Sequence, residues 1–215
     1  MNILNSFDTD QEQFWAGDFG DHYVDRNKSD QFLASNLNFF SDALKATNSL
    51  ENCIEFGANI GMNIKALKQL FPQLSFHAVE INKKASKLLG EVIPEENIFQ
   101  HSILNFDSEE KWDLAIVKGV LIHINPQMLD KIYEILYKAT KKYLLIGEYY
   151  SRNPENLSYR GFENKLYKRD FAGEIMDKFS NLELIDYGFL YHRDHNFPQD
   201  DITWFLLKLS LIHIS

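Results

Sequence analysis

Cys53-Ile54-Glu55-Phe56-Gly57-Ala58-Asn59-Ile60-Gly61-Met62-Asn63 decides how this chain is to be read. A short apolar strand ends in a tight glycine turn that opens a helix, and Glu80 closes the next apolar strand. Gly57 lets the backbone turn and approach a ligand without a Cβ, and Gly61 lets the first helix pack close to the sheet. Glu80 stands where the acid after the second strand of a dinucleotide fold takes both ribose hydroxyls. Together these residues predict a nucleoside pocket. The spacing is Glu-x-Gly-x-x-x-Gly, however, and not the Gly-x-Gly-x-x-Gly that seats a pyrophosphate on a helix N-terminus.

That departure selects among cofactors. S-adenosylmethionine has no phosphate; it carries an ammonium, a sulfonium and an adenosine. Glu55 at the strand end suits the ammonium through charge-assisted hydrogen bonding, directly or through water, and would repel a diphosphate. Ala58 and Asn59 in the turn and Ile81 beside Glu80 join the expected cofactor contacts. The plain alternative is a βα turn that happens to hold two glycines.

Working outward, helical periodicity covers residues 10–16 and 30–46, with Ser and Asp near the starts. Strands are predicted over 51–56, 74–80, 97–101, 112–118 and 143–147. Between them lie helices over 61–71, stopped by Pro72, then 82–89, then 126–138 with proline in its first turn. A helix over 171–179 precedes two strands, 182–190 and 202–207, which close the chain as a hairpin-like pair. The alternation implies an α/β fold: a mostly parallel seven-stranded sheet, an antiparallel final strand, and helices on both faces. That is the class I methyltransferase layout, a Rossmann-like fold.

In an open α/β sheet the ligand sits beyond the C-terminal strand ends, so the residues there are the candidates. Ser102 and Ile103 follow the third strand and suit an adenine, one by hydrogen bonding and one by apolar contact, although a surface-turn serine reads equally well. Lys118 ends the fourth strand and joins the cofactor candidates. His123, in Lys118-Gly-Val-Leu-Ile-His-Ile-Asn-Pro126, is the first candidate base, with a packed histidine bracing the loop as its alternative. His192 is the second.

Glu148, Tyr149 and Tyr150 run off the fifth strand, and Tyr159-Arg160-Gly161 leads toward the next helix start. Tyrosines stack on sugars and guanidinium groups grip carboxylates or phosphates, so this region and His192-Arg193-Asp194 suit an acidic sugar. A charged, solvated insertion is the alternative.

With 215 residues, 45% of them hydrophobic, the chain supports one sizeable core. Residues 1–208 are expected to form one domain with a helical lid over about 1–47. The single cysteine, Cys53, forms no intrachain disulfide and suits a reducing compartment. No signal region opens the sequence and no apolar run reaches membrane-spanning length, so the cytosol is expected. A net charge of −9 argues against a nonspecific nucleic-acid binder. No metal site is expected, and oligomeric state is not readable from the sequence.

Several stretches resemble the pseudaminic acid biosynthesis-associated methylases. They are Gln11-Glu-Gln-Phe-Trp-Ala-Gly-Asp-Phe-Gly-Asp-His-Tyr23, Glu55–Asn63, Lys118–Pro126, Glu148-Tyr-Tyr150, Lys168-Arg-Asp-Phe-Ala-Gly173 and Phe197-Pro-Gln-Asp-Asp-Ile-Thr-Trp204. The resemblance runs from about residue 10 to about residue 207. It implies an S-adenosylmethionine-dependent methylase encoded beside nonulosonic acid genes, acting on a small sugar acid or nucleotide-sugar acceptor. By the same resemblance Trp15, Phe19 and Tyr23 form a lid over the cofactor; read from periodicity alone they dock in the core. Residues 209–215 fall outside it and read as a non-native tail or a longer final strand. A nucleotide-dependent sugar oxidoreductase and a non-catalytic S-adenosylmethionine-binding module remain the rival readings.

Overall fold

The computed structural model describes residues 7–24 and 29–210. Two short helices open it: α1 (Asp10–Ala16) starts on a Thr9 and Glu12 capping box, and α2 (Asp18–Val24) follows at once. Next, α3 (Asp30–Ala43) is capped by the Ser29 side chain, which accepts from the Phe32 amide. The alternating part runs β1 (Asn52–Phe56), α4 (Met62–Leu70), β2 (Ser75–Val79), α5 (Lys83–Leu89), β3 (Ile98–Phe99), β4 (Trp112–Lys118), α6 (Leu129–Ala139) and β5 (Thr140–Glu148). A hairpin of β6 (Glu155–Tyr159) and β7 (Phe162–Lys168) interrupts the pattern before α7 (Phe171–Lys178), β8 (Leu182–Phe189) and β9 (Thr203–Leu209).

Seven strands form one sheet in the order β3-β2-β1-β4-β5-β9-β8, with β6 and β7 apart as a two-stranded ribbon. The first five are parallel, and β9 inserts antiparallel between β5 and β8. β1 and β4 are central and buried on both faces, which is why they read as continuous apolar runs without alternation. One apolar core lies under α6 and α7, the other under α3, α4 and α5. Chain direction across the sheet reverses between β1 and β4, which opens a crevice beyond their C-terminal ends.

The α/β class and the seven-stranded, mostly parallel sheet are as the sequence predicts. The boundaries differ where local signals are weak: β3 keeps only two residues, and the expected helix start at Pro126 is a single 3-10 turn before α6. The β6–β7 hairpin stands in the stretch between the fifth strand and the helix over 171–179, where the sequence predicts no element. It turns through Arg160 and Gly161, both at positive φ, 51° and 86°. That is the two-residue turn whose twist matches a hairpin. Of the proposed 209–215 tail, Leu209 completes β9 and residues 211–215 lie outside the described residues, as do residues 1–6 and 25–28 of the proposed lid. Among the described residues, no helix is long and apolar enough to cross a membrane.

Candidate active site

A cavity occupies the crevice at the ends of β1, β2 and β4. Its floor is the glycine turn. Gly57 stands at φ 75° and Gly61 at φ 78°, in the left-handed region that favours glycine. A Cβ on Gly57 would meet Val120 Cγ2 at 2.4 Å, and Val120 itself lines the cavity. A Cβ on Gly61 would meet Leu89 Cδ1 of α5 at 2.7 Å. Gly61 therefore admits helix α5, and not the sheet, to close packing.

Glu80 is buried at the end of β2, and each of its oxygens takes one backbone amide: Oε2 from Asn59 and Oε1 from Asn82, both at 2.7 Å. A carboxylate has about four lone-pair sites, so each oxygen keeps room for another donor. Burial raises the Glu80 pKa, and the surrounding amides oppose that rise. The carboxylate thus ties the glycine turn to the loop after β2 while lining the cavity.

Below the turn, Glu55 Oε1 accepts from Asn63 Nδ2 at 2.6 Å. Glu55 Oε2, Asn59 Oδ1 and Asn63 Oδ1 are buried and carry no hydrogen-bond partner among the described residues. Burial pushes the Glu55 pKa up to about 8, against Asn63 and Lys118, which lower it. Lys118 shows the mirror effect: burial lowers it to about 8 while Glu55, Asp200 and Glu148 hold it up. Its ammonium lies 5.3 Å from the Phe39 ring and 5.8 Å from that of Phe32. The corner is rich in acceptors and suits a ligand cation.

Glu148 is buried behind the loop and does not line the cavity. Its Oε1 accepts from the Val120 and Leu121 amides, both at 2.9 Å, and its Oε2 from Ile122 at 3.4 Å. Burial raises its pKa to about 7, opposed by those amides. Its effect is positional: it fixes the turn that carries His123.

His123 lines the cavity, with Nδ1 2.7 Å from the Lys165 carbonyl of β7. A carbonyl only accepts, so Nδ1 carries the hydrogen and Nε2 keeps its lone pair. Burial lowers the His123 pKa to about 4, and the ring is neutral at pH 7. Its face packs between Trp15 and Tyr159, with centroids at 4.7 and 4.8 Å.

α1 and α2 roof the cavity. Trp15 and Tyr23 line it, crossing edge-on at 5.3 Å, and Phe19 packs against Trp15, Tyr159 and Phe162. The roof is pinned by Asn82, whose Nδ2 donates to the Trp15 carbonyl and to Asp21. Gly20 makes this fit, since a Cβ there would stand 1.9 Å from the Trp15 carbonyl oxygen. Gln11 ties the roof to the hairpin by donating to the Asn164 carbonyl at 3.1 Å.

Of the residues picked from sequence, Trp15, Tyr23, Gly57, Asn59, Glu80, Ile81, Ser102, Ile103 and His123 line the cavity together. Ser102 spends its oxygen on the Leu104 amide, which leaves its hydroxyl hydrogen free to donate. Glu55, Ala58, Gly61, Lys118 and Glu148 stand behind the wall. Tyr149, Tyr159 and Arg160 are not among the lining residues; the Tyr159 ring packs against His123, and the Arg160 guanidinium lies 5.5 Å from the Tyr159 ring. The Tyr149 pKa is raised by burial and by the nearby Asp200 carboxylate. Tyr150, His192 and Arg193 are on the surface away from the cavity, and His192 pairs with Asp201 at 2.8 Å. Sequence reading missed Gln11, Gly20, Asn63, Asn82 and Val120; the helix-start position of Asn82, two residues after Glu80, was the available signal.

No protein-family model and no curated protein matches the chain. Solved structures do. A Burkholderia thailandensis 1,6-didemethyltoxoflavin-N1-methyltransferase, with that substrate and S-adenosylhomocysteine bound, superposes with a TM-score of 0.69 at 12% identity. The match covers 94% of this chain and 87% of that one. A Leishmania major S-adenosylmethionine-dependent methyltransferase gives 0.67 at 14% identity, covering 94% and 87%. The Synechocystis magnesium protoporphyrin IX methyltransferase, with S-adenosylmethionine bound, gives 0.64 at 13% identity, covering 95% and 100%. The fold of this chain is that of the class I methyltransferases.

Proposed function

We propose that the chain is an S-adenosylmethionine-dependent methyltransferase of the cytoplasm that acts on a nonulosonic, pseudaminic-type acid or a related sugar intermediate. The carrying observation is the pairing of Glu80 with the acceptor-rich corner below it. Glu80 offers two acceptors for a ribose diol, and Asn59, which lines the cavity, leaves its Oδ1 buried without a donor, with Glu55 Oε2 and Asn63 Oδ1 likewise unpartnered behind the wall there. A ligand with a diol at one end and an ammonium near the other answers both, and a diphosphate answers neither.

When bound, the cofactor supplies a methyl group already activated by its sulfonium. The chain's residues then hold and exclude. Ser102 and Ile103 take the adenine, Glu80 the ribose, and Trp15 and Tyr23 keep water out from above. His123 Nε2 receives the proton of a hydroxyl acceptor, and Glu148 and the Lys165 carbonyl hold the ring for that task. An amine acceptor with a neutral lone pair needs the orientation alone. Arg160, with Tyr149 and Tyr159 beside it, grips the acid group of the acceptor. The sequence resemblance supports the sugar-acid class.

Transfer of radiolabelled methyl groups to a panel of acidic and neutral sugars tests the reading. Turnover with an acidic sugar supports it. Cofactor binding with no transfer to any member would leave a non-catalytic binding module instead.

A further inference from the structure

The outer sheet edge, away from the cavity, carries a feature that methyl transfer does not use. β8 is the last strand, and its pairing with β9 slips by one residue between Leu184 and Asp186. Its side chains sort by face. Asp186 reaches Lys45 beyond the end of α3 at 3.7 Å, and Glu183, in register with Lys208, shares that side. Leu184, Tyr187 and Phe189 stand on the other side, in register with Leu207, Phe205 and Thr203. Tyr150 and Tyr187 flank Phe205 at 6.0 and 6.4 Å, and Tyr191 lies 6.3 Å from Phe189. Exposure is 66% for Tyr187, 58% for Phe189, 47% for Tyr191 and 42% for both Leu184 and Tyr150.

At ~200 Å² for each large side chain, those five residues present about 500 Å² of mostly apolar surface. That is near the upper end of what a monomer leaves open. A standard interface buries roughly 800 Å² per partner, about 60% of it apolar, or about 480 Å². The patch supplies that apolar share.

We propose that this face is the two-fold interface of a homodimer, the aromatic face of β8 and β9 packing on the same face of a second copy. An isologous contact needs one patch that meets itself. None of the five residues is a carboxylic acid or a basic residue, and both carboxylates of β8 point the other way. A chain of net charge −9 can therefore meet its equal here without opposing like charges. Three tyrosines bring large apolar area with hydroxyls for polar pairing, the composition favoured in interface cores. The one-residue bulge twists the edge and obstructs open-ended strand addition, which favours closed face-to-face packing.

Sedimentation velocity on the full chain tests this. The wild type should sediment as a dimer in the micromolar range, and the double variant Tyr187→Asp with Phe189→Asp as a monomer with unchanged circular dichroism. Both positions are more than half exposed, so neither is needed for the core. Should the double variant misfold, Tyr187→Ser and Phe189→Ser should each raise the dimer dissociation constant about tenfold or more. A wild type that stays monomeric, leaving the face to some other protein, overturns the proposal. So does a folded double variant that dimerises as tightly as the wild type.

Discussion

Replacing Glu80 with alanine removes a group that lines the cavity and also holds its floor. Each carboxylate oxygen already takes one amide at 2.7 Å, so each has one site left for a ribose hydroxyl. Hydrogen bonds to a charged partner are worth roughly 1.5–3 kcal/mol net, so Glu80→Ala should weaken S-adenosylmethionine about tenfold to a hundredfold. The variant also strips an acceptor from the buried Asn82 amide, at a cost of about 1–3 kcal/mol. Relief of the buried carboxylate, whose pKa burial raises, offsets part of that cost. A Tm lowered by roughly 2–8 °C follows for a chain of this size. Glu80→Gln, which keeps one oxygen acceptor, should fall between wild type and Glu80→Ala in affinity. Calorimetric titration with S-adenosylmethionine reads the affinity, and circular dichroism secures the fold. A folded Glu80→Ala variant with wild-type affinity would refute the ribose assignment.

Glu55, pushed up to about 8 by burial, is mostly protonated at pH 7, and a ligand ammonium beside it should draw its pKa down. Cofactor binding at pH 7 should then release protons, seen as a binding enthalpy that varies with the buffer's ionisation enthalpy and vanishes in Glu55→Gln; equal release in that variant sinks the assignment. Because this folded-state pKa lies above the ordinary 4.5, the contribution of Glu55 to stability is full below about pH 4.5 and declines as pH rises toward about 8. Gly57→Val should drive Val120 into the cavity and abolish cofactor binding, whereas Gly61→Ala should lower Tm through Leu89 with binding largely kept; the reverse order would move the ligand off the turn. Arg160→Ala should raise the KM for an acidic acceptor and leave cofactor affinity alone, and an unchanged KM removes the anion grip. His123, lowered to about 4, should give no inflection between pH 6 and 7, and His123→Ala should lose turnover on a hydroxyl acceptor with partial rescue at high pH. Full turnover by that variant leaves His123 a packing role.

The fold was legible because its central signals are local. The glycines at positive φ, the buried runs of β1 and β4, and Glu80 closing β2 are all set within a few residues of sequence. The β6–β7 hairpin escaped because its turn places Arg160, and not Asn or Asp, at a left-handed φ, and because its strands are mostly exposed. For the site, strand ends located the crevice, and Gly57, Glu80 and Ser102 line it, whereas Glu55, Lys118 and Glu148 end strands beside it and stand behind its wall. What Glu148 does was not readable, as its three amide partners lie 26 to 28 residues upstream in the loop after β4. Gly20 was equally hidden, since its role exists only once the roof has closed on the sheet, whereas the helix-start position of Asn82 gave a local signal. His192 and Arg193 followed a strand end as His123 did, yet β8 is the outermost strand and its end opens to solvent far from the crevice.

Calorimetric titration of the wild-type chain with S-adenosylmethionine and, in parallel, with NAD addresses the central claim without needing the acceptor. The account predicts saturable one-to-one binding of S-adenosylmethionine and none of NAD; binding of NAD with no heat from S-adenosylmethionine would contradict it.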